Sequence, residues 1–189
     1  MISIITEKID ELISIRATPI IIAIDGRCAS GKSTLADYLK EHYEDVALIR
    51  MDHFFLQPHQ RTEERLHEPG GNVDRERFLT EVISPLKRAE SFSYKPFDCK
   101  TMTFVEEVTV SKRKINIIEG SYSCHPELAK YYDLKIFLNI DEVEQLKRIE
   151  KRNAENVFMF KEKWIPLEEK YFEAFKIGEN CDISGFLKF

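Results

Sequence analysis

The residues best suited to chemistry form a glycine-rich segment near the start of the chain. The segment fits the pattern GxxxxGK[ST] in full and consists of Gly26, Arg27, Cys28, Ala29, Ser30, Gly31, Lys32 and Ser33. Glycine adopts backbone conformations that other residues avoid, so consecutive N–H groups of such a loop can point at phosphate oxygens. The lysine reaches the β- and γ-phosphates, and the hydroxyl that follows it is a ligand for Mg²⁺. The pattern therefore predicts a nucleotide-phosphate site made by these residues together with Thr34.

The sequence around this loop argues against a chance match. A β-branched apolar run over residues 20–24 leads into the loop at Asp25, and an amphipathic helical pattern begins at Lys32. A strand, a loop and a helix in this order place the positive end of the helix dipole at the phosphates. Cys28 could be a reactive thiol in an electropositive loop. A small side chain that fills the loop is the simpler interpretation of this cysteine.

Two carboxylates follow two further apolar runs. Asp52 comes after residues 46–51, and Glu119 comes after residues 115–118. Ligands of parallel sheets bind beyond the carboxyl ends of the strands, so we expect both carboxylates beside the phosphate loop. Transfer of a phosphoryl group to an alcohol needs a group that orients the hydroxyl and accepts its proton, which suits Asp52. Glu119 and Ser33 would hold Mg²⁺. The alternative for Asp52 is a turn or a helix cap.

Apolar runs that alternate with helical patterns must position these groups. Strands are predicted at residues 20–24, 46–51, 115–118 and 134–140, with a weaker separate strand at 103–110. Helices are predicted at residues 1–17, 32–43, 78–89 (interrupted at Pro85), 141–152 and 158–175, with Pro166 at a first-turn or kink position. This alternation predicts an α/β fold of three layers around a mostly parallel sheet.

Composition limits the classes of function. The chain has 189 residues, which predicts a single domain over residues 1–189. Its 28 basic and 33 acidic residues give a net charge of −5, which disfavours nucleic acid as a partner. The longest apolar run is far shorter than the ~20 residues that span a bilayer. With no export signal and no CxxC pair among the four cysteines, we expect a cytoplasmic protein without a membrane partner.

The sequence resembles a known family in three features that occur in the same order. They are the phosphate loop, the turn from Asp52 to Phe55, and the run that ends in Glu119 and Gly120. It is the uridine kinase branch of the P-loop nucleoside and small-molecule kinases, a group that includes phosphoribulokinase-like enzymes. Residues 70–78 resemble the family's segment after its catalytic aspartate. Residues 119–153 resemble its last strand and its arginine-bearing lid helix. The resemblance covers most of residues 18–175.

The resemblance implies a P-loop fold with a helical lid within residues 141–175 and an acceptor-binding region within residues 53–110. It implies ATP as the donor, Mg²⁺, and a small-molecule acceptor, with the 5′-hydroxyl of uridine or a related nucleoside first. Asp52 would be the base and Asp74 would bind ribose hydroxyls. Arg148 and Arg152 lie four residues apart on one helix face and would act with Lys32 on the transferred phosphate. A solvated helix face is the alternative for both arginines.

The sequence departs from the family where the base is read. The family commonly offers a tyrosine and a histidine there, and the comparable stretch here is residues 95–102. Phe97 can stack on a substrate but has no hydroxyl, and Met102 is no strong hydrogen-bond donor. A kinase for nicotinamide riboside, pantothenate or another alcohol is therefore one alternative. A nucleotide-binding regulatory protein without turnover is another, although Lys32, Ser33, Asp52 and Glu119 are all present.

Overall fold

The computed structural model describes residues 1–187, and its centre is a parallel sheet. In chain order the strands are β1 (Ile20–Gly26), β2 (Val46–Arg50), β3 (Phe92–Tyr94), β4 (Phe97–Asp98), β5 (Thr103–Phe104), β6 (Val108–Val110), β7 (Ile115–Glu119), β8 (Leu134–Asn139) and β9 (Ile183–Phe186). Five of them form the central sheet in the order β2-β7-β1-β8-β9, and every neighbouring pair is parallel. The other four pair antiparallel, β3 with β6 and β4 with β5.

Helices connect the strands. In chain order they are α1 (Ile2–Ile15), α2 (Lys32–His42), α3 (Glu63–His67), α4 (Arg75–Phe78), α5 (Ser84–Lys87), α6 (Pro126–Ala129), α7 (Glu142–Asn153), α8 (Val157–Met159), α9 (Ile165–Phe175) and α10 (Ile177–Asn180). Short 3₁₀ turns lie at Met51–Phe54, Pro58–Gln60 and Ala154–Asn156, and π turns lie at Leu79–Ile83 and Phe160–Trp164.

The central strand β1 explains the three layers. All seven of its residues are buried, because apolar cores lie on both faces of the sheet. Ile20, Ile22 and Ile24 face a core that includes residues of α1 and α2. Ile21 and Ala23 face a second core that includes residues of α4, α6 and α9. The predicted three-layer α/β fold with a mostly parallel sheet is thereby confirmed.

Two element predictions are wrong. Residues 103–110 form two short strands instead of one, because β5 pairs with β4 whereas β6 pairs with β3. The predicted interruption at Pro85 is not observed. Proline lacks the N–H that a helix interior needs, but Pro85 is the second residue of α5, directly after a π turn. The helical path from Arg75 to Lys87 is therefore continuous.

The end of the chain supplies the outer strand of the sheet. Residues 178–189 are rich in apolar side chains, and the sequence leaves an edge strand and an interface as alternatives. The structure places β9 beside β8 as the edge strand. Lys188 and Phe189 lie outside the described residues. None of the helices in residues 1–187 is long and apolar enough to cross a membrane.

Candidate functional site

The phosphate loop joins β1 to α2 and depends on left-handed backbone conformations. Gly26 has φ 140°, Gly31 has φ 101°, and Ala29, which is not a glycine, has φ 61°. A Cβ on Gly26 would lie 2.1 Å from the carbonyl oxygen of Leu138, so only glycine fits there. The loop is therefore folded tightly against the end of β8.

Polar groups of the loop fit a phosphate. Lys32 Nζ donates to the carbonyl oxygens of Gly26 (2.6 Å) and Arg27 (2.9 Å), so the ammonium lies across the loop. The hydroxyl of Ser30 is buried and finds no partner within residues 1–187. The first N–H groups of α2, which include that of Thr34, have no acceptor inside the helix. An anion with several oxygens would satisfy these donors.

Ser33 and Glu119 stand together at the start of α2. Ser33 Oγ lies 3.3 and 3.4 Å from the two carboxylate oxygens of Glu119. Arg50 Nη1 also donates to Glu119, at 2.6 Å. Burial raises the pKa of the Glu119 carboxyl, and the negative charge of Asp52 adds to that rise. A hydroxyl and a carboxylate are oxygen donors of the kind that Mg²⁺ prefers, so this pair fits the ion.

Asp52 lies in the 3₁₀ turn after β2 and is exposed. Its Oδ1 would be 3.5 Å from a Cβ placed on Gly120, which puts the carboxylate directly beside the turn that follows Glu119. The side chain of Asp52 caps no helix and makes no hydrogen bond or ion pair within residues 1–187. Of the two alternatives for Asp52, the turn is observed and the helix cap is not, and the carboxylate can accept a hydrogen bond from a substrate hydroxyl.

Asp74 and Phe97, the two residues predicted to bind the acceptor, already have structural partners. Asp74 is only 2% exposed. One of its oxygens accepts from Arg77 N (3.0 Å) and caps α4, and the other accepts from Gln60 Nε2 (2.8 Å). Phe97 is buried, and its ring meets that of Phe104 edge-on at 5.6 Å. A substrate role for either residue stays a prediction.

The two arginines of α7 differ in their relation to the loop. Arg148 Nη1 donates to the carbonyl oxygen of Ala29 at 3.3 Å, and its Nε donates to Glu144 at 2.8 Å. Arg152 is exposed and makes no hydrogen bond or ion pair within residues 1–187. The structure therefore brings Arg148 to the phosphate loop and leaves Arg152 in solvent.

The side chains of Arg27 and Cys28 have partners outside the phosphate loop. The guanidinium of Arg27 makes two hydrogen bonds to the carboxylate of Glu169, at 2.5 and 2.6 Å. Gln145 Nε2 donates to the sulfur of Cys28 at 3.2 Å. Burial, with the charge of Glu168, raises the pKa of the Cys28 thiol to about 12. A thiol with this pKa stays neutral, which favours the role of a loop filler over that of a nucleophile.

Sequence reasoning missed Asp25, the last residue before the loop. Its carboxylate is fully buried and accepts from the N–H groups of Gly26 (2.7 Å), Tyr122 (3.2 Å) and Cys124 (2.9 Å) and from the hydroxyl of Tyr171 (2.8 Å). Burial raises the pKa of this carboxyl to about 6 despite these hydrogen bonds. A carboxylate at the end of an otherwise apolar strand was the signal that could have revealed it. Asp25 connects the loop, the segment after Glu119 and helix α9.

Comparison with known proteins gives relatives that bear kinase names. No protein-family model matches the chain. It is 30% identical over 153 residues to uridine kinase-like protein 4 of Arabidopsis thaliana, covering 75% of this chain and 32% of that one. It is 32% identical over 132 residues to a uridine kinase of Clostridium novyi (strain NT), covering 66% of this chain and 63% of that one. The matched part thus spans less than two thirds of either relative.

A solved structure shares the fold. It is that of a possible uridine kinase from Bacillus stearothermophilus, with a TM-score of 0.67 and 20% identity. The likeness covers 97% of this chain and 99% of that one. At this identity the comparison speaks for the fold, which agrees with the parallel sheet and the flanking helices described above.

Proposed function

This chain belongs to the uridine kinase-like P-loop kinases, and from that premise we propose that it transfers the γ-phosphoryl group of ATP to a hydroxyl group of a small metabolite. One observation carries the proposal. The exposed, unbonded carboxylate of Asp52 lies beside the turn after Glu119, and Glu119 in turn lies beside Ser33 in the phosphate loop. An acceptor hydroxyl held at Asp52 would face a phosphate held by the loop.

The residues divide the work of the reaction. The N–H groups at the start of α2 and the ammonium of Lys32 would bind the donor phosphates, once Lys32 exchanges its two carbonyl partners for phosphate oxygens. Ser33 and Glu119 would hold Mg²⁺, which when bound neutralises charge on the phosphates. Asp52 would orient the acceptor hydroxyl and take its proton. Catalysis of this kind rests on positioning and on charge stabilisation.

The acceptor that we propose first is uridine or a related nucleoside, attacked through its 5′-hydroxyl. The curated relatives bear uridine kinase names, which supports a nucleoside. A specific observation favours a second candidate, another small alcohol such as nicotinamide riboside or pantothenate. Phe97 is buried against Phe104 and has no hydroxyl, and Met102 cannot donate a strong hydrogen bond. A site without these donors discriminates bases weakly.

An acceptor screen tests the proposal. The protein is incubated with Mg²⁺, ATP labelled in its γ-phosphate, and one of several alcohols: uridine, cytidine, nicotinamide riboside or pantothenate. We expect label on uridine or cytidine, and loss of transfer in Lys32→Ala. A clear preference for nicotinamide riboside or pantothenate would select the second candidate. Tight ATP binding with no transfer to any acceptor would instead support a regulatory nucleotide-binding protein.

A further inference from the structure

One residue of the phosphate loop, Cys28, is hydrogen-bonded through both of its backbone polar groups. The N–H of Cys28 donates to Glu168 Oε2 at 2.8 Å, and the carbonyl oxygen of Cys28 accepts from Gln145 Nε2 at 3.1 Å. Gln145 belongs to α7 and Glu168 belongs to α9. These helices flank residues 154–164, which we call the lid segment. The helices on the two sides of the lid segment are therefore hydrogen-bonded to the same residue of the phosphate loop.

Burial indicates that both side chains are kept for these bonds. Gln145 is 2% exposed and Glu168 is 5% exposed. A buried amide or carboxylate destabilises a protein unless its hydrogen bonds are satisfied, and an apolar residue would fill either position without that cost. Glu168 completes its bonding by accepting from the hydroxyl of Ser121 at 2.6 Å. Packing alone does not account for polar groups at these two sites.

Neighbouring contacts tie the same two helices to the same part of the loop. Arg27 pairs with Glu169 of α9, and Ala29 accepts from Arg148 of α7. A cavity of about 670 Å³ lies between these helices, with Gln145 and Arg27 among its lining residues. The helices thus meet each other through residues 27–29 of the loop.

Cys28 directly precedes the strained residue of the loop. Ala29 has φ 61°, a conformation that costs a non-glycine residue free energy and persists only when its surroundings enforce it. The bonds to Cys28 and Ala29 supply that enforcement. A loop that is ordered before the donor binds has less entropy to lose on binding, so these bonds favour phosphate binding.

We propose that Gln145 and Glu168 are positioning residues that hold the phosphate loop in its donor-binding form and so raise the affinity for ATP. The proposal rests on the proposed function, because it takes ATP as the donor. Both side chains act through the backbone of Cys28 and touch no reacting atom. Loss of either side chain is expected to raise the donor Kd and KM, while the acceptor KM stays the same.

Isosteric variants test this role. Gln145→Met and Glu168→Met remove the hydrogen bonds at nearly constant volume, whereas Glu168→Gln keeps an acceptor for the Cys28 N–H. Glu150→Met on α7 and Glu173→Met on α9 are the matched controls, since both side chains are exposed. Two quantities are measured in the full chain: the Kd of ATP by calorimetry, and amide hydrogen exchange of residues 26–31 without nucleotide. Thermal melting identifies any variant that does not fold. If one methionine variant does not fold, the other methionine variant is used for the test.

We expect each methionine variant to weaken ATP binding by about fivefold to tenfold, the equivalent of one lost hydrogen bond, and to speed exchange in the loop. Glu168→Gln and both controls should bind ATP no more weakly than the wild type. Methionine variants that bind ATP as the wild type does, or a Glu168→Gln variant as weak as Glu168→Met, would overturn the proposal. A wild-type protein that bound no ATP would instead refute the proposed function, and the donor role of the two residues with it.

Discussion

Replacing Asp25 by asparagine should remove a pH dependence of folding stability that the aspartate creates. The carboxyl is fully buried, and its pKa rises from 3.8 to about 6 in the folded protein. The folded state therefore holds a proton that the unfolded state has lost between these two pH values. Stability from this group is present at low pH and is lost as pH rises through about 6. Asparagine carries no charge at any pH, so the variant lacks this contribution.

The size of the effect follows from the two pKa values. The full shift of about two units corresponds to about 3 kcal/mol between very low and high pH. Between pH 5 and pH 7.5, which is a practical range, the linkage relation gives about 1.4 kcal/mol. Asp25→Asn replaces a carboxyl that is mostly protonated at pH 5 and ionised at pH 7.5, so its stability relative to the wild type should differ between the two values. This relative stability should be about 1.4 kcal/mol lower at pH 5 than at pH 7.5.

Urea unfolding at several pH values measures this difference, and a second variant checks its cause. The hydroxyl of Tyr171 donates to Asp25 and lowers the carboxyl pKa, so Tyr171→Phe should raise that pKa further. The stability of Tyr171→Phe should then fall more steeply with rising pH than that of the wild type, whereas the stability of Asp25→Asn should fall less steeply. Curves for wild type and Asp25→Asn that run parallel within about 0.5 kcal/mol would refute the reasoning.

Three further predictions concern single positions. Gly26→Ala places a Cβ 2.1 Å from Leu138 O at φ 140° and should destabilise the protein by about 3 kcal/mol or more, which lowers Tm by about 6–12 °C. Gly185→Ala is the control and should melt near the wild type, because its Cβ would lie 3.7 Å from the nearest atom in the described residues. Equal melting temperatures of the two variants would contradict this prediction. Burial and the charge of Arg75 lower the pKa of His125 to about 4, so its contribution to stability is lost as pH falls from 6.5 towards 4. His125→Asn keeps a cap for Glu127 N–H and should flatten the urea-unfolding profile over that range, and an unchanged acid slope would disprove this. Arg152→Met should lower kcat by about tenfold or more, because the predicted role of Arg152 is in phosphoryl transfer alone. Its Tm should stay constant, because the side chain has no partner within residues 1–187. An unchanged kcat would show that Arg152 belongs to a solvated helix face without a role in transfer.

Local patterns predicted the part of the site that is local in sequence. The phosphate loop lies between a strand and a helix that its own neighbours define, so its eight-residue pattern and its position could be predicted together. Asp52 and Glu119 could be placed beside it because each follows a buried strand, and the ends of parallel strands share one edge of a sheet. Their approach, through Gly120 and Ser33, is what the structure adds.

The residues that support the loop could not be predicted in the same way. Glu168 and Gln145 contact Cys28 across more than 100 residues of chain, and both occur in helices dense with charged side chains. A helix pattern distinguishes apolar from polar positions, but it does not reveal which polar side chain is buried against a distant backbone group. The strand prediction at residues 103–110 failed for a related reason, since two different partners divide that segment.

The central claim is that a hydroxyl held by Asp52 attacks a phosphate held by the loop. Its most direct measurement is the kcat of Asp52→Asn with the best acceptor from the screen, beside the Kd of ATP for the same variant. We predict a fall in kcat of about 100-fold or more with the Kd within about twofold of the wild type, because a base acts in the transfer step and not in donor binding. Wild-type turnover by Asp52→Asn would contradict the account.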